Sequence, residues 1–417
     1  MFTFLRKYNV GLFVIALGVV LPYSPIFGEY FYYSGANVFD FYIIGVGIGS
    51  TLLFLVNQRL MTMSLRWLCI LVTTLILLLL SYFISIYNDS TSLIGALKDL
   101  KPIFIIVILF YSFKVLTNIE RRNGNACKEV SYIKSFVFSR LFLLFICIKV
   151  LFFLFLNING YLSLGTVDDF YVSDMDMINR YTDYSIYFIL VVTIILLSNK
   201  GFFIVFPSYY SLVGIVLALV SGNRTFFCIF IVMFLFSISK SYRAAFYIFL
   251  IVSIPIGLSL FDSFSLSGDS RFLSLLSYEK LASSLSTRYS PFFALYDEGS
   301  NFFDYFFGLG LGTLFYIPWF SYRDGVDPLS AFIDNFYLTI FAKFGLFGLV
   351  VIVLVIISII FRFSRDRNTK ALYLLIFFMY TSTMSFWYQQ SFTFLSICFF
   401  TILFYKFKYT QATWSCR

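Results

Sequence analysis

Five arginines, Arg180, Arg224, Arg271, Arg288 and Arg323, stand among acidic or aromatic segments, away from the short basic stretches that punctuate the rest of the chain. A guanidinium never loses its charge and donates two parallel hydrogen bonds in one plane, so phosphate and carboxylate are its natural counterparts. Arg224 is the most constrained. It lies in Ser221-Gly222-Asn223-Arg224-Thr225, pinned between two apolar runs, where a charge is costly and commonly functional. Asp334, followed by Asn335 and Tyr337, offers a carboxylate that can act either as a base or as a helix cap. Lys149 falls inside an apolar run, where an ionisable group faces a cavity or a partner, or snorkels to the interface. Lys343 follows Asp334 by nine residues, on the opposite side of a common helix, and reads as structural.

Other chemistries are excluded or weakly signalled. The chain has no histidine, which removes Ser-His-Asp and Cys-His catalysis and most transition-metal sites. No glycine loop ends in Lys-Ser/Thr after a strand, so nucleotide hydrolysis is not indicated. Asp174-Met175-Asp176 has the spacing of a metal-binding pair but sits in an ordinary acidic loop, and no metal or other cofactor is expected. Gly308, Gly310 and Gly312 could cradle a phosphate, but as a bare pattern that signal is weak and a flexible turn accounts for them better. Cys69, Cys147, Cys228 and Cys398 lie in apolar runs, and Cys127 and Cys416 in basic segments, so no disulfide framework is implied.

The elements that must hold these residues are membrane helices. Sixty per cent of the 417 residues are hydrophobic, only 12% are charged, and the mean hydropathy is +0.90. A soluble chain carries about 25% charged residues, and soluble cores stop growing near roughly 250–300 residues, so the solvent must be lipid. With roughly 20 apolar residues per crossing, spans are expected near 10–27, 39–56, 67–87, 102–117, 135–158, 185–199, 201–220, 225–239, 244–261, 332–361, 371–388 and 390–405. The expected fold is therefore an all-α polytopic membrane protein of about twelve helices forming one membrane domain over 1–417. The first run lacks a small-residue cleavage site and is expected to be retained as a helix.

Charge orients the bundle. The net charge of +9 comes from clusters such as Arg121/Arg122/Lys128/Lys134 and Arg362/Arg365/Arg367/Lys370, each between apolar runs. That is the positive-inside pattern of cytoplasmic loops and not a nucleic-acid surface. With both termini inside, Glu120, Glu129 and Asp366 are the acids on the cytoplasmic side and the remainder lie outside or at the outer boundary.

Two outer loops then stand out: an acidic one at 159–184 carrying Arg180, and one of about seventy residues at 262–331, too long for a simple connection. Within the second, Phe272 to Leu285 has the spacing of a helix lying on the membrane surface. The span at 332–361 would measure roughly 45 Å against about 30 Å of hydrocarbon, so its first third should project outward or run along the interface, with Gly345 and Gly348 as the natural break.

Three features in order around the large loop carry a resemblance: Ser-Gly-Asn-Arg-Thr (221–225), Arg288 followed by Gly299 and Phe307-Gly-Leu-Gly-Leu-Gly312, and Asp334-Asn335-Phe336-Tyr337-Leu338 followed by Gly345. Together they resemble the superfamily of Wzy-type O-antigen polymerases and O-antigen ligases, over roughly residues 221–348. Its ligases carry histidine where this chain has Asp334, which favours a polymerase.

The resemblance implies transfer of a growing glycan from undecaprenyl diphosphate to an incoming lipid-linked oligosaccharide, inverting and metal-independent, at the periplasmic face of the bacterial inner membrane. It implies Arg224 and Arg288 as a diphosphate clamp, Asp334 as base, and Arg180, Arg271, Lys149, Asn335 and Tyr337 as substrate-binding residues. Implied partners are the lipid-linked oligosaccharide, the bilayer, a chain-length regulator and a flippase. A lipid-linked oligosaccharide flippase is the main rival, since it would use intramembrane cations such as Lys149 but has little need of a long outer loop with arginines.

Overall fold

The computed structural model describes residues 10–20, 32–33, 36–56, 65–87, 93–123, 140–158, 184–198, 207–220, 223–238, 289–296, 301–317, 329–363, 367–385, 387–388 and 391–415. These are almost wholly helical. In chain order the helices are α1 (Val10–Val20), α2 (Val38–Val56), α3 (Leu65–Tyr87), α4 (Leu93–Asn123), α5 (Arg140–Ile158) and α6 (Ser185–Ser198). They continue with α7 (Pro207–Val220), α8 (Arg224–Ser237), α9 (Phe302–Phe307), α10 (Phe336–Phe363), α11 (Arg367–Thr383) and α12 (Ser391–Ser415). Two short antiparallel pairs join Tyr32–Tyr33 to Ala36–Asn37 and Phe315–Tyr316 to Leu329–Ser330. The expected span at 244–261 and the amphipathic stretch Phe272 to Leu285 lie outside the described residues.

Among the described residues, two helices are long and apolar enough to cross a bilayer, Gly95–Thr117 and Phe336–Phe361. Shorter apolar helices include Phe39–Leu52, Ser185–Leu197 and Thr225–Ser237. Many side chains on the outer surfaces of these helices are large and apolar, Phe83, Leu151 and Leu354 among them. Helix α12 is the centre of the bundle and packs on α1, α2, α4 and α6. Its Phe394 is fully buried, with ring centroids 5.0 Å from Phe39 and 4.9 Å from Tyr184. A second layer forms from α7, α8 and α11, where Phe226 sits 5.4 Å from Tyr380.

One boundary departs from the hydropathy pattern. The span expected at 102–117 is a helix of 31 residues that begins nine residues earlier, at Leu93, and carries Pro102 inside it. Lys98, Asp99 and Lys101 depress the hydropathy of this first part, but two of these charges are matched across the bundle. Lys101 Nζ meets Asp40 Oδ2 at 2.7 Å, and Asp99 pairs with Lys343 at 2.5 Å. A charge met by a partner no longer ends a membrane helix.

Helix α10 breaks at Gly345, whose backbone is far from helical at φ 63°, ψ −171°. The break falls where the excess length of this span required one. Interrupting the i→i−4 ladder releases the carbonyls one turn upstream, and these are the groups that receive the loop described next.

Candidate functional site

The segment Gly308–Thr313 is a packed corner and not the flexible turn its glycines suggest. Leu309 N–H donates to the Ala342 carbonyl at 2.7 Å and Gly310 N–H to the Lys343 carbonyl at 3.2 Å, both on the turn freed by the Gly345 kink. Leu311 N–H donates to the Ser81 carbonyl at 3.2 Å, and Ser85 Oγ donates to the Leu311 carbonyl at 2.5 Å. Non-helical backbone buried in a helical bundle is tolerated only when its polar groups are met by protein in this way. Gly310 holds φ +101°, and a Cβ there would stand 2.6 Å from the Ser85 backbone. Only glycine fits.

This corner closes over a buried ion pair. Lys343 Nζ and Asp99 Oδ1 are 2.5 Å apart, and both side chains are 0% exposed. The other carboxylate oxygen of Asp99 accepts from Gly312 N–H at 2.8 Å, and the Tyr388 hydroxyl also bonds this carboxylate. Lys343 Nζ lies 5.2 Å from the centre of the Tyr388 ring. The pair therefore ties α4, α10, the glycine corner and the α11–α12 turn into one unit. With its donors and acceptors engaged inside the protein, the corner holds its own chain and leaves no cradle for a phosphate at those amides.

A second convergence involves the residues singled out for chemistry. Asn223 caps α8 by accepting from Phe226 N–H at 3.2 Å, so Arg224 is the first residue of that helix. Asn335 does the same for α10, accepting from Leu338 N–H at 3.0 Å, with Asp334 exposed just before it. Both helix starts are fastened to the polar end of α11. Thr225 Oγ1 donates to Thr383 Oγ1 at 2.8 Å, and Asn335 Nδ2 donates to the Ser382 carbonyl at 3.1 Å. Tyr337 and Thr381 share a hydroxyl hydrogen bond of 2.5 Å, and Thr339 and Ser385 another of 3.0 Å.

The consequence is electrostatic. Two helix N-termini, each with partial positive charge, meet beside the C-terminus of a third, and one of them begins with an arginine. Each N-terminus favours an anion, and the partial negative charge at the C-terminus of α11 offsets part of that preference. The hub Thr381-Ser382-Thr383-Met384-Ser385 was not picked out from sequence, although four hydroxyls in five residues at the end of an apolar run were the available signal.

The remaining sequence candidates fall as follows. Lys149 is buried in the bundle, where its ammonium donates to the Val19 carbonyl near the C-terminal end of α1 and to Ser185 Oγ at 2.7 Å. That is a partner inside the protein and a cation at a helix C-terminus, in place of snorkelling. Asn335 and Tyr337 spend side-chain hydrogen bonds on α11 and on the helix cap. Arg180, Arg271, Arg288, the Asp174/Asp176 pair and the Arg224 side chain lie outside the described residues. Among the described residues no group of three metal-ligating side chains occurs.

Near the glycine corner, residues 289–296 pack Phe292 and Tyr296 against Phe341 and Phe315. Tyr296 stacks on Tyr305 at 4.9 Å, and its buried hydroxyl has no hydrogen-bond partner among the described residues. Burial, and then the negative charge of Asp304 and of an ionised Tyr305, push the Tyr296 phenol above its ordinary range.

No curated protein and no solved structure matches this chain. A family model described as a family of unknown function, DUF6369, matches residues 9–412, and the chain belongs to that family.

Proposed function

We propose that this DUF6369 member is a polymerase that joins undecaprenyl-diphosphate-linked oligosaccharide repeats into O-antigen or a related surface polysaccharide. On this reading it is a metal-independent, inverting glycosyltransferase of about twelve spans. It lies in the bacterial inner membrane with both termini cytoplasmic and the loops at 159–184 and 262–331 in the periplasm. The observation that carries the reading is the fastening of two separate motifs to one place. Thr225, next to Arg224, and Asn335, next to Asp334, bond to Thr383 and Ser382.

The chemistry follows from that juxtaposition. The donor's anomeric carbon bears a diphosphate, which departs with the bonding electrons as an oxyanion. Arg224 and the helix start behind it, with Arg288, Arg180 and Arg271 from the outer loops, would receive that charge. Asp334 would take the proton of the acceptor hydroxyl as its oxygen attacks from the opposite face, which inverts the centre. Asn335 and Tyr337 hold the segment bearing Asp334 to α11, a positioning role alongside any contact with sugar hydroxyls.

A second reading, a lipid-linked oligosaccharide flippase, draws support from the buried Lys149 and the Asp99–Lys343 pair. All three groups already have protein partners, which weakens it. The separating experiment is the surface polysaccharide made by cells carrying Arg224→Ala or Arg288→Ala at normal protein level. A polymerase gives single repeat units in place of long chains, whereas full-length polymer from both variants overturns the reading.

A further inference from the structure

Helix α9 is six residues long, and five of them are aromatic: Phe302, Phe303, Tyr305, Phe306 and Phe307. None is buried, and Phe302 and Phe303 are 76% and 69% exposed. Its one charge is turned back on the backbone, because Asp304 accepts from Asn301 N–H at 2.8 Å and closes the helix start. Exposed aromatic area concentrated in one short helix calls for something to cover it.

What covers it is indicated by what it joins. The rings of Phe302 and Phe306 stack at 6.2 Å, and Phe306 in turn stacks on Phe347 of α10 at 6.1 Å. Phe347 is exposed and belongs with Leu346, Val350 and Leu354 to an apolar strip along the outside of the span Phe336–Phe361. In a bilayer that strip faces acyl chains. The stack therefore carries a hydrocarbon-facing surface sideways from α10 onto α9, two residues beyond the Gly345 kink. Exposed Lys98, adjacent to the Asp99 that binds the glycine corner, supplies a cation at this same end of the bundle that can snorkel to the headgroups.

We propose that α9 is a membrane foot, an aromatic helix seated among bilayer acyl chains at the headgroup boundary beside Phe347. The proposal rests on the reading of the chain as membrane-spanning. Because the glycine corner begins at Gly308, the residue after the foot, the lipid contact sets the depth of the buried corner and of the outer-loop residues that precede it.

The test is photo-crosslinking of the full chain in its native membrane, with p-benzoylphenylalanine replacing Phe303, Phe302, Leu354 or exposed Asn368 in turn, and products read by mass. The proposal predicts lipid adducts at Phe303 and Phe302 within about threefold of the Leu354 yield, and roughly tenfold above Asn368. Lipid adducts at Leu354 with none at Phe303 or Phe302 overturn the foot while leaving the spanning helix intact. Crosslinks from Phe303 to a second copy or to another protein overturn it in favour of a protein interface. Absence of lipid adducts at Leu354 overturns the membrane reading itself and the foot with it.

Discussion

Lys343 Nζ and Asp99 Oδ1 stand 2.5 Å apart in a wholly buried pair, although 244 residues separate them in the chain. Removing one partner of a buried pair leaves an uncompensated charge and costs about 3–5 kcal/mol. Lys343→Met should therefore lower thermal stability in detergent sharply. Adding Asp99→Asn should recover a large part of the loss, because asparagine keeps an acceptor for Gly312 N–H without the stranded charge. A Lys343→Met protein as stable as the parent would remove the pair from any account of the fold.

The glycine corner makes a separate demand on the backbone. Gly310 at φ +101° lies against the Ser85 backbone, so Gly310→Ala combines conformational strain with a clash. The strain alone is worth about 1–3 kcal/mol. Protease should cut the variant within the 289–317 region under conditions where the parent survives. An unchanged digestion pattern would mean the corner is loose.

At the polar end of α11, Thr383→Val deletes the bond to Thr225 while keeping shape and volume. A loss of about 1 kcal/mol in stability is expected, together with shorter polysaccharide chains at normal protein level. Asn335→Ala should cost about 1–2 kcal/mol through the lost cap. Asn335→Asp keeps the cap acceptor but sets a carboxylate oxygen against the Ser382 carbonyl in place of the donated bond, so it should fall between the parent and Asn335→Ala only where the cap dominates. If Asn335→Asp and Asn335→Ala behave alike, the bond across to α11 outweighs the cap.

How much of this was legible beforehand differs from residue to residue. The Gly345 kink followed from a span too long for the bilayer, and the start of α8 from Ser-Gly-Asn-Arg-Thr, whereas the cap of α10, expected at Asp334, is Asn335. The early start of α4 did not follow, because Asp99 and Lys101 look like a terminus until Lys343 and Asp40 are placed beside them. Thr381, Ser382 and Thr383 were overlooked for a related reason. Each hydroxyl also bonds back to its own helix, as Thr381 does to the Phe377 carbonyl at 2.6 Å, so it reads as neutral filler in an apolar run. Position relative to a distant segment is what gives these residues meaning, and local pattern does not encode it.

Tyr296 offers a pH-dependent check. Its phenol is pushed above the ordinary value near 10 by burial and neighbouring negative charge, so the folded state holds this proton more tightly than the unfolded chain. Its contribution to stability is therefore complete below pH about 10 and is lost as pH rises towards the higher folded value. Tyr296→Phe should remove that alkaline loss, and should match or exceed the parent at pH 7 because the hydroxyl has no partner among the described residues. A large loss of stability at pH 7 in Tyr296→Phe would reveal a hydrogen bond to this hydroxyl.

The central claim is that the chain itself forms glycosidic bonds using a lipid diphosphate as leaving group. Purified protein in detergent should be given undecaprenyl-diphosphate-linked repeats, with chelator present and no nucleotide, and the products sized by gel. The account predicts a ladder of lengthening lipid-linked glycans with release of undecaprenyl diphosphate, absent in Arg224→Ala. Unextended repeats after incubation with folded parent protein, together with transport of the same lipid across a vesicle bilayer, would contradict it.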